Sequence, residues 1–276
     1  MPELPETEVI LHYLRENILG STISGLQVER GDIIRTGLAS QPWYIGAQIN
    51  DISRNGKSIV LACGKGTTTR YLLSELGMTG LFLFPASTLG KSKHLHLAFT
   101  LEHATVSHLY YWNPRRFGRV YLFDSGQLHQ FLQRRFGVDP FGTTLEQFCL
   151  IISKSRGRLK ALLLNQHKIA GIGNIYANEI LYRAGIHPHA KGNRLSKASL
   201  MRLYHSTQTV LREAIAFGGS TIRDFCAPDG TRGRYQEHHA VYQKAGSPCP
   251  QGCGTTIRRL KGERSSFLCP ACQKRN

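Results

Sequence analysis

Acidic side chains are scarce in this sequence: 18 Asp and Glu stand against 35 Lys and Arg in 276 residues, a formal charge of +17. Such a surplus repels itself unless the working partner is a polyanion, so nucleic acid heads the candidate partners. Long apolar runs are also missing. No stretch of about 18 apolar residues exists to span a bilayer, and no basic amphipathic helix is long enough to lie on lipid, so no membrane role is expected. The N-terminus lacks the positive charge of a secretory or transit peptide, carrying Glu3, Glu6 and Glu8 instead, which points to an intracellular protein. A disulfide framework is not expected either, because seven cysteines are an odd number and an intracellular chain is reduced. With 41% hydrophobic and 19% charged residues, the chain is nevertheless neither disordered nor too short for two domains with a sizeable core.

Val9, Ile10, Tyr13, Leu14 and Ile18 recur at helical spacing and stop at Leu19-Gly20, which predicts a leading helix. Between about 21 and 135, short β-branched and aromatic runs (58–62, 79–84, 95–101, 106–112) alternate with Gly, Asn and Ser clusters, the pattern of strands and turns. After the FGVDPFG segment at 136–142 the pattern becomes helical. Thr143 and Thr144 precede Glu146 and Gln147 as a capping-box start, 159–164 and 175–184 read as helices around a GIGN turn, and 196–217 reads as a long amphipathic helix. The chain therefore divides into 1–135, a linker at 136–142, a helical domain at 143–240 and a terminal segment at 241–276.

Four of the cysteines are metal-spaced. Cys249 and Cys253 form C-x3-C, Cys269 and Cys272 form C-x2-C, and two such knuckles joined by a hairpin-sized spacer can offer four thiolates to one structural Zn2+. Cys63, Cys149 and Cys226 read as small buried hydrophobes. Two strands, 255–260 and 264–268, joined at Lys261-Gly262-Glu263, would mount Arg258, Arg259 and Arg264 on the metal-braced hairpin, either to meet phosphate or only to stiffen the subdomain. The GIGN turn before a helix is an anion site or an ordinary helical joint; Lys154, Arg156, Arg158 and Lys160 just upstream favour the former. In Asn113-Pro114-Arg115-Arg116-Phe117-Gly118, two Arg pair with phosphates while Phe117 wedges into a base stack, or Phe117 simply returns to the core. Pro2, once Met1 is trimmed, is a secondary amine beside Glu3 and Glu6. An α-amino group with a pKa of about 8 is partly neutral near neutral pH and can attack a sugar C1′; the bland alternative is an inconsequential acidic terminus.

MPELPETE at the start, RNGK at 54–57, LGMTG at 76–80, PRRFG at 114–118, GIGNIYANE at 171–179, and CPQGCG with FLCPACQK at the end together resemble the bacterial-type formamidopyrimidine-DNA glycosylase (Fpg) family, over essentially the whole chain. The resemblance implies an α+β fold: an N-terminal β-sandwich domain with a leading helix, and a C-terminal helix-two-turn-helix domain with a zinc-finger β-hairpin. It implies a bifunctional glycosylase and AP lyase acting as a monomer on double-stranded DNA with oxidised bases or abasic sites, in the cytoplasm and at the nucleoid. Pro2 takes the nucleophile's place, Glu3 the general acid's, Glu6 that of a second carboxylate, Lys57 that of the β-elimination lysine and Arg264 that of the δ-elimination arginine. Met78, Arg115 and Phe117 match the wedge that fills the void of a flipped nucleotide. His94, Arg116, Lys154, Lys160, Asn174 and Arg264 match phosphate contacts, and Glu179 the acid inside the helix after GNIY.

Four departures from the family pattern stand out: Ser74-Glu75 where His usually precedes LGM, Asn113 where Asp usually precedes PRRF, three residues inside the first cysteine knuckle, and VYQK for VYGR. None touches Pro2, Glu3 or Lys57. The Met, Arg and Phe wedge favours oxidised purines such as 8-oxoguanine and formamidopyrimidines. The alternatives are the sister class that removes oxidised pyrimidines, and a catalytically silent protein that binds damaged DNA.

Overall fold

The structure, a computed structural model, describes residues 2–274 apart from 89, 92 and 263. Glu263, expected in the hairpin turn, and Met1 therefore lie outside the described residues. The chain forms two compact units, Met1–Arg134 with Phe217–Arg234, and Arg135–Ala216 with Tyr235–Asn276.

In the first unit, helix α1 (Leu4–Ile18) starts with Pro5 in its first turn, where a missing N–H costs nothing. It buries Ile10, Leu14 and Ile18 completely, and the chain leaves it through Gly20 at φ +83°. Nine strands follow: β1 (Thr22–Val28), β2 (Ile34–Thr36), β3 (Ala47–Asn55), β4 (Ser58–Lys65), β5 (Thr68–Glu75), β6 (Leu81–Leu83), β7 (Leu95–Glu102), β8 (His108–Trp112) and β9 (Arg119–Phe123). They are hydrogen-bonded in the order β2-β9-β5-β4-β3-β1-β7-β8-β6. Among the described residues β1 pairs with β3 at just Thr22↔Gln48 and Ile23↔Ala47, and both halves feed one core: Ile49, Ile59 and Leu61 from one side, Leu97, Phe99 and Leu109 from the other. That shared core makes the unit a β-sandwich.

Helix α2 (Ser125–Arg135) follows β9 where the sequence pattern was read as strands and turns. It buries no residue fully. Leu128, Phe131 and Leu132, at helical spacing, pack against Tyr121 and Phe123 on a small satellite cluster. Three apolar positions amid polar ones were too weak a stripe to stand out.

The second unit holds α3 (Leu145–Ser153), α4 (Leu159–Leu164), α5 (Asn174–Arg183) and α6 (Lys197–Ala216), then the hairpin β10 (Arg258–Leu260) and β11 (Ser266–Leu268). Thr144 caps α3 reciprocally with Gln147. Helix α5 is the central one, with Tyr176, Ala177, Ile180 and Leu181 all buried.

The segment Phe217–Arg234 differs from the sequence boundary, which ran the helical domain on to 240: it packs with the first unit. Pro228 O accepts hydrogen bonds from Phe84 N (2.8 Å) and Ser87 Oγ (2.7 Å), and Phe225, Cys226 and Ala227 enter the sandwich core. Apolar side chains recruited across more than a hundred residues leave no local signal in the sequence.

Candidate active site and nucleic-acid interface

Pro2 and Glu3 are buried at the start of α1, Glu3 being 2% exposed. Glu6 fixes this corner. Its Oε2 accepts the Glu3 N–H at 2.8 Å and its Oε1 accepts the Ser220 N–H at 2.7 Å, so one carboxylate ties the chain's first turn to the segment after α6. That approach needs Gly219, which sits at φ +78° and whose Cβ would lie 2.9 Å from Glu6 Oε1. Glu6 is thus held as an acceptor of backbone N–H groups, an orienting role for its neighbours. Lys57 stands half-buried in the two-residue turn between β3 and β4, whose ends pair as Asn55↔Ser58. Gly56 has φ +58° and Lys57 does not share the positive φ, the pattern of a type II′ hairpin.

The wedge residues lie on two adjoining loops of the same unit. Met78 is 39% exposed and Phe117 55%, which for large apolar side chains marks a surface awaiting a partner. The Arg115 guanidinium sits 5.1 Å from the centre of the Phe117 ring. The loops touch backbone to backbone: a Cβ on Gly77 would lie 2.5 Å from Phe117 C. Asn113, fully buried, is the joint between them. Its Oδ1 accepts from Thr79 Oγ1 at 3.2 Å, and its carbonyl accepts the Arg116 N–H at 3.1 Å and meets His96 Nε2 at 2.9 Å. Thr79 Oγ1 also accepts the Arg115 N–H at 3.3 Å. Sequence reasoning noted Asn113 only as a departure and overlooked Thr79; polar residues inside turns look like surface until their partners are known. His94 and Arg116, the expected phosphate contacts of this unit, are exposed and held at φ +77° and +54°. Positive φ in such residues is costly, and functional loops are where it gathers.

In the second unit, Lys160 is 5% exposed. Its ammonium donates to Ser265 O (2.7 Å), Ser266 Oγ (3.0 Å) and Arg264 O (3.4 Å), so it braces the hairpin from inside. Arg264 itself is exposed and, with Arg158 and Lys261, lines a cavity of about 460 Å³. Lys154 is exposed at the end of α3. Asn174 begins α5, with its Oδ1 buried and without a hydrogen-bond partner. Its turn is stapled by Gln166, whose Oε1 accepts the Gly171 N–H and whose Nε2 donates to Ile172 O, both at 2.9 Å. Glu179 faces inward: its oxygens accept the N–H groups of Ala240, Val241 and Tyr242 at 2.8, 3.1 and 2.7 Å. It anchors the lead-in to the hairpin, and its burial raises its pKa against the pull of those three donors.

Among the described residues, Cys249, Cys253, Cys269 and Cys272 form the one cluster suited to a metal, their Sγ atoms all within 4.8 Å of one another. The pairs Cys249–Cys272 and Cys253–Cys269 are 3.8 and 3.4 Å apart, close to the roughly 3.8 Å edge of a tetrahedron with 2.3 Å Zn–S bonds. Four thiolates fit zinc, and the extra residue in the first knuckle does not spoil the set. Tyr182 OH lies 3.2 Å from Cys249 Sγ, and Gln273 Oε1 accepts the Cys269 N–H at 3.0 Å, an outer layer that orients the ligands.

Three family descriptions match consecutive stretches: the formamidopyrimidine-DNA glycosylase N-terminal domain over residues 1–120, its H2TH domain over 136–226, and the zinc finger found in FPG and IleRS over 246–275. The chain is 37% identical to the formamidopyrimidine-DNA glycosylase of Streptococcus thermophilus over 280 residues, covering both chains completely. The crystal structure of MutM (Fpg) from Thermus thermophilus superposes with a TM-score of 0.86 at 34% identity over the whole of both chains. A mutant Lactococcus lactis FPG in complex with Fapy-dG-containing DNA gives a TM-score of 0.87 at 32% identity, covering 99% of this chain and 100% of that one. A helix-led sheet domain, an H2TH domain and a four-cysteine hairpin define a DNA glycosylase of the helix-two-turn-helix, zinc-finger class. This chain belongs to the formamidopyrimidine-DNA glycosylase family.

Proposed function

We infer that the protein is a DNA-repair glycosylase and AP lyase that excises oxidised purines, 8-oxoguanine and formamidopyrimidines, from duplex DNA. The observation that carries this reading is the N-terminal corner, where buried Pro2 and Glu3 lead into α1 and Glu6 accepts the N–H groups of both Glu3 and Ser220. A lesion cannot be reached inside the stack, so the nucleotide is flipped out and Met78, Arg115 and Phe117 fill the void. The neutral Pro2 nitrogen attacks C1′, the bond to the base breaks with its electron pair, the amine loses its proton, and the C1′–O4′ bond then opens to leave an iminium as Glu3, the general acid, protonates O4′. The resulting iminium acidifies the C2′ proton. Its removal expels the 3′ phosphate with Lys57 assisting, and a second elimination, assisted by Arg264, expels the 5′ phosphate. A one-nucleotide gap remains. Zinc held by Cys249, Cys253, Cys269 and Cys272 would supply no chemistry of its own and would cross-link the hairpin that presents Arg264.

The work belongs inside the cell, on the DNA of the nucleoid. Among the described residues no helix is long and apolar enough to cross a membrane.

Borohydride reduction in the presence of 8-oxoguanine DNA tests the reading directly. A covalent protein–DNA adduct is expected, and Pro2→Gly should lose most base excision while affinity for abasic-site DNA persists. Binding without an adduct would leave a silent damage binder. Efficient thymine glycol removal with background cutting of 8-oxoguanine opposite cytosine would assign the oxidised-pyrimidine class.

A further inference from the structure

Arg54 is the last residue of β3 but one, and neither the base-excision nor the elimination chemistry uses it. Its side chain is only 7% exposed, an unusual location for an arginine without a task. Its Nε donates to Glu8 Oε2 at 2.5 Å, and its Nη1 donates to Gly56 O at 3.2 Å. One planar guanidinium thus holds two things at once: the second turn of α1, and the carbonyl of the turn residue that immediately precedes Lys57. Glu8 is 32% exposed, so its carboxylate keeps part of its hydration while it closes the pair. A second tie lies further along the same helix, where Arg15 Nε donates to Ile52 O at 2.7 Å. Two-residue hairpin tips are otherwise the loosest part of a hairpin. This one is anchored to the helix that starts at the proposed nucleophile.

We propose that Arg54, clamped by Glu8, is a positioning residue that fixes the Lys57 turn relative to the α1 helix for the elimination step. The proposal rests on the reading of Pro2 as nucleophile and Lys57 as elimination lysine. Misplacing a reacting group by about 1 Å can cost on the order of 100-fold in rate. The turn that follows Pro2 has its own anchor, Glu6 accepting the Glu3 and Ser220 N–H groups, so releasing the Arg54 tie moves the lysine and leaves the amine.

The test is a double-mutant cycle on full-length protein with preformed abasic-site DNA, scoring strand cleavage under single turnover, borohydride-trapped adduct, and thermal midpoint. Arg54→Met is expected to slow cleavage about 10- to 100-fold with adduct yield within about twofold of wild type. Placed on Lys57→Ala, it should change the residual rate less than about threefold, because the group it positions is gone. Arg54→Lys, which keeps the charge but not the two-way reach, should fall between. Glu8→Ala removes the partly exposed member of the pair and serves if Arg54→Met does not fold; it should slow cleavage about fivefold or more. Equal fold-losses with and without Lys57, adduct yield falling in step with cleavage, or an unaffected Glu8→Ala would each overturn the positioning role. No adduct in the wild type would instead overturn the Pro2 reading, and the proposal with it.

Discussion

The N-terminal corner and the C-terminal hairpin both carry residues of the proposed site, yet they are held by different means. The corner is built from contacts far apart in sequence: Glu6 reaches Ser220, 214 residues away, and the helix it heads is buried in the large sandwich core. The hairpin draws its four thiols from one short stretch, Cys249 to Cys272, with Lys160 as a brace from α4. Its cluster consists of a few side chains, Val241, Ile257 and Phe267 with Tyr182 and the thiols, far too small to order a segment by burial alone. The difference teaches where each will fail. Removing the metal is the harshest way to expose it, since structural zinc in small fingers is worth roughly 10–16 kcal/mol of folding. Chelation should release one zinc and four titratable thiols and unfold the hairpin while the first unit keeps its cooperative transition. DNA affinity should fall at least about tenfold. Chelation that leaves binding intact would reduce the hairpin to an ornament.

Two glycines turn the same contrast into a matched pair. Gly219 (φ +78°) lies against Glu6, whereas Gly254 (φ +75°), between the cysteine knuckles, has open space where a Cβ would go. Alanine at 254 meets only the left-handed penalty, about 1 kcal/mol. Alanine at 219 adds a clash with a fixed carboxylate, for about 2–4 kcal/mol in all. Thermal melts measure both costs. Only Gly219→Ala should also slow base excision, by about 10-fold or more, because it moves Glu6 and with it Glu3. Equal excision rates in the two variants would mean that the corner tolerates displacement.

Much of this was legible in the sequence, and what was not has a common physical cause. The leading helix, the Thr144 cap, the GIGN turn and the cysteine hairpin rest on spacings within a few residues, and they stand where the patterns put them. Residues whose surroundings depend on distant partners are harder to read. Lys160 reads as one more cation in a basic run until its three acceptors on the hairpin are seen, 104 to 106 positions downstream. Glu179 reads as an acid just inside the helix after GNIY, and its three backbone donors from 240–242 cannot be foreseen there. Segment 217–234 reads as the tail of the helical domain, because nothing nearby reveals that Phe225 completes the sandwich core.

Acid should also separate the two units. Burial pushes His239 down to about 4, with Lys244 and His238 adding to the shift, whereas an unfolded histidine titrates near 6.5. The unfolded state therefore binds the extra proton between these values. Stability from the neutral ring is full above pH 6.5 and is lost as pH falls toward 4, by about 2 kcal/mol at pH 5. Glu179 works in the other direction: its raised pKa favours the fold below the ordinary carboxylate range and weakens it as pH rises. Melting the second unit between pH 7 and 5 should show a steeper fall in the wild type than in His239→Phe. Parallel curves would show that the ring is not the group that titrates.

The finest test concerns two cations that sequence reasoning treated alike. Each phosphate neutralised by a bound cation contributes about −0.9 to the slope of log K against log salt. Arg264 is exposed beside a cationic cavity, so Arg264→Ala should flatten that slope by about 1. Lys160 spends its ammonium protons on Ser265 O, Ser266 Oγ and Arg264 O. Lys160→Met should then weaken binding by loosening the hairpin, by about 1–2 kcal/mol, while the slope stays within about 0.3 of wild type. If Lys160→Met flattens the slope as much as Arg264→Ala does, the ammonium reaches phosphate in the complex and must leave its three oxygens to do so. The brace would then be a resting position given up on binding.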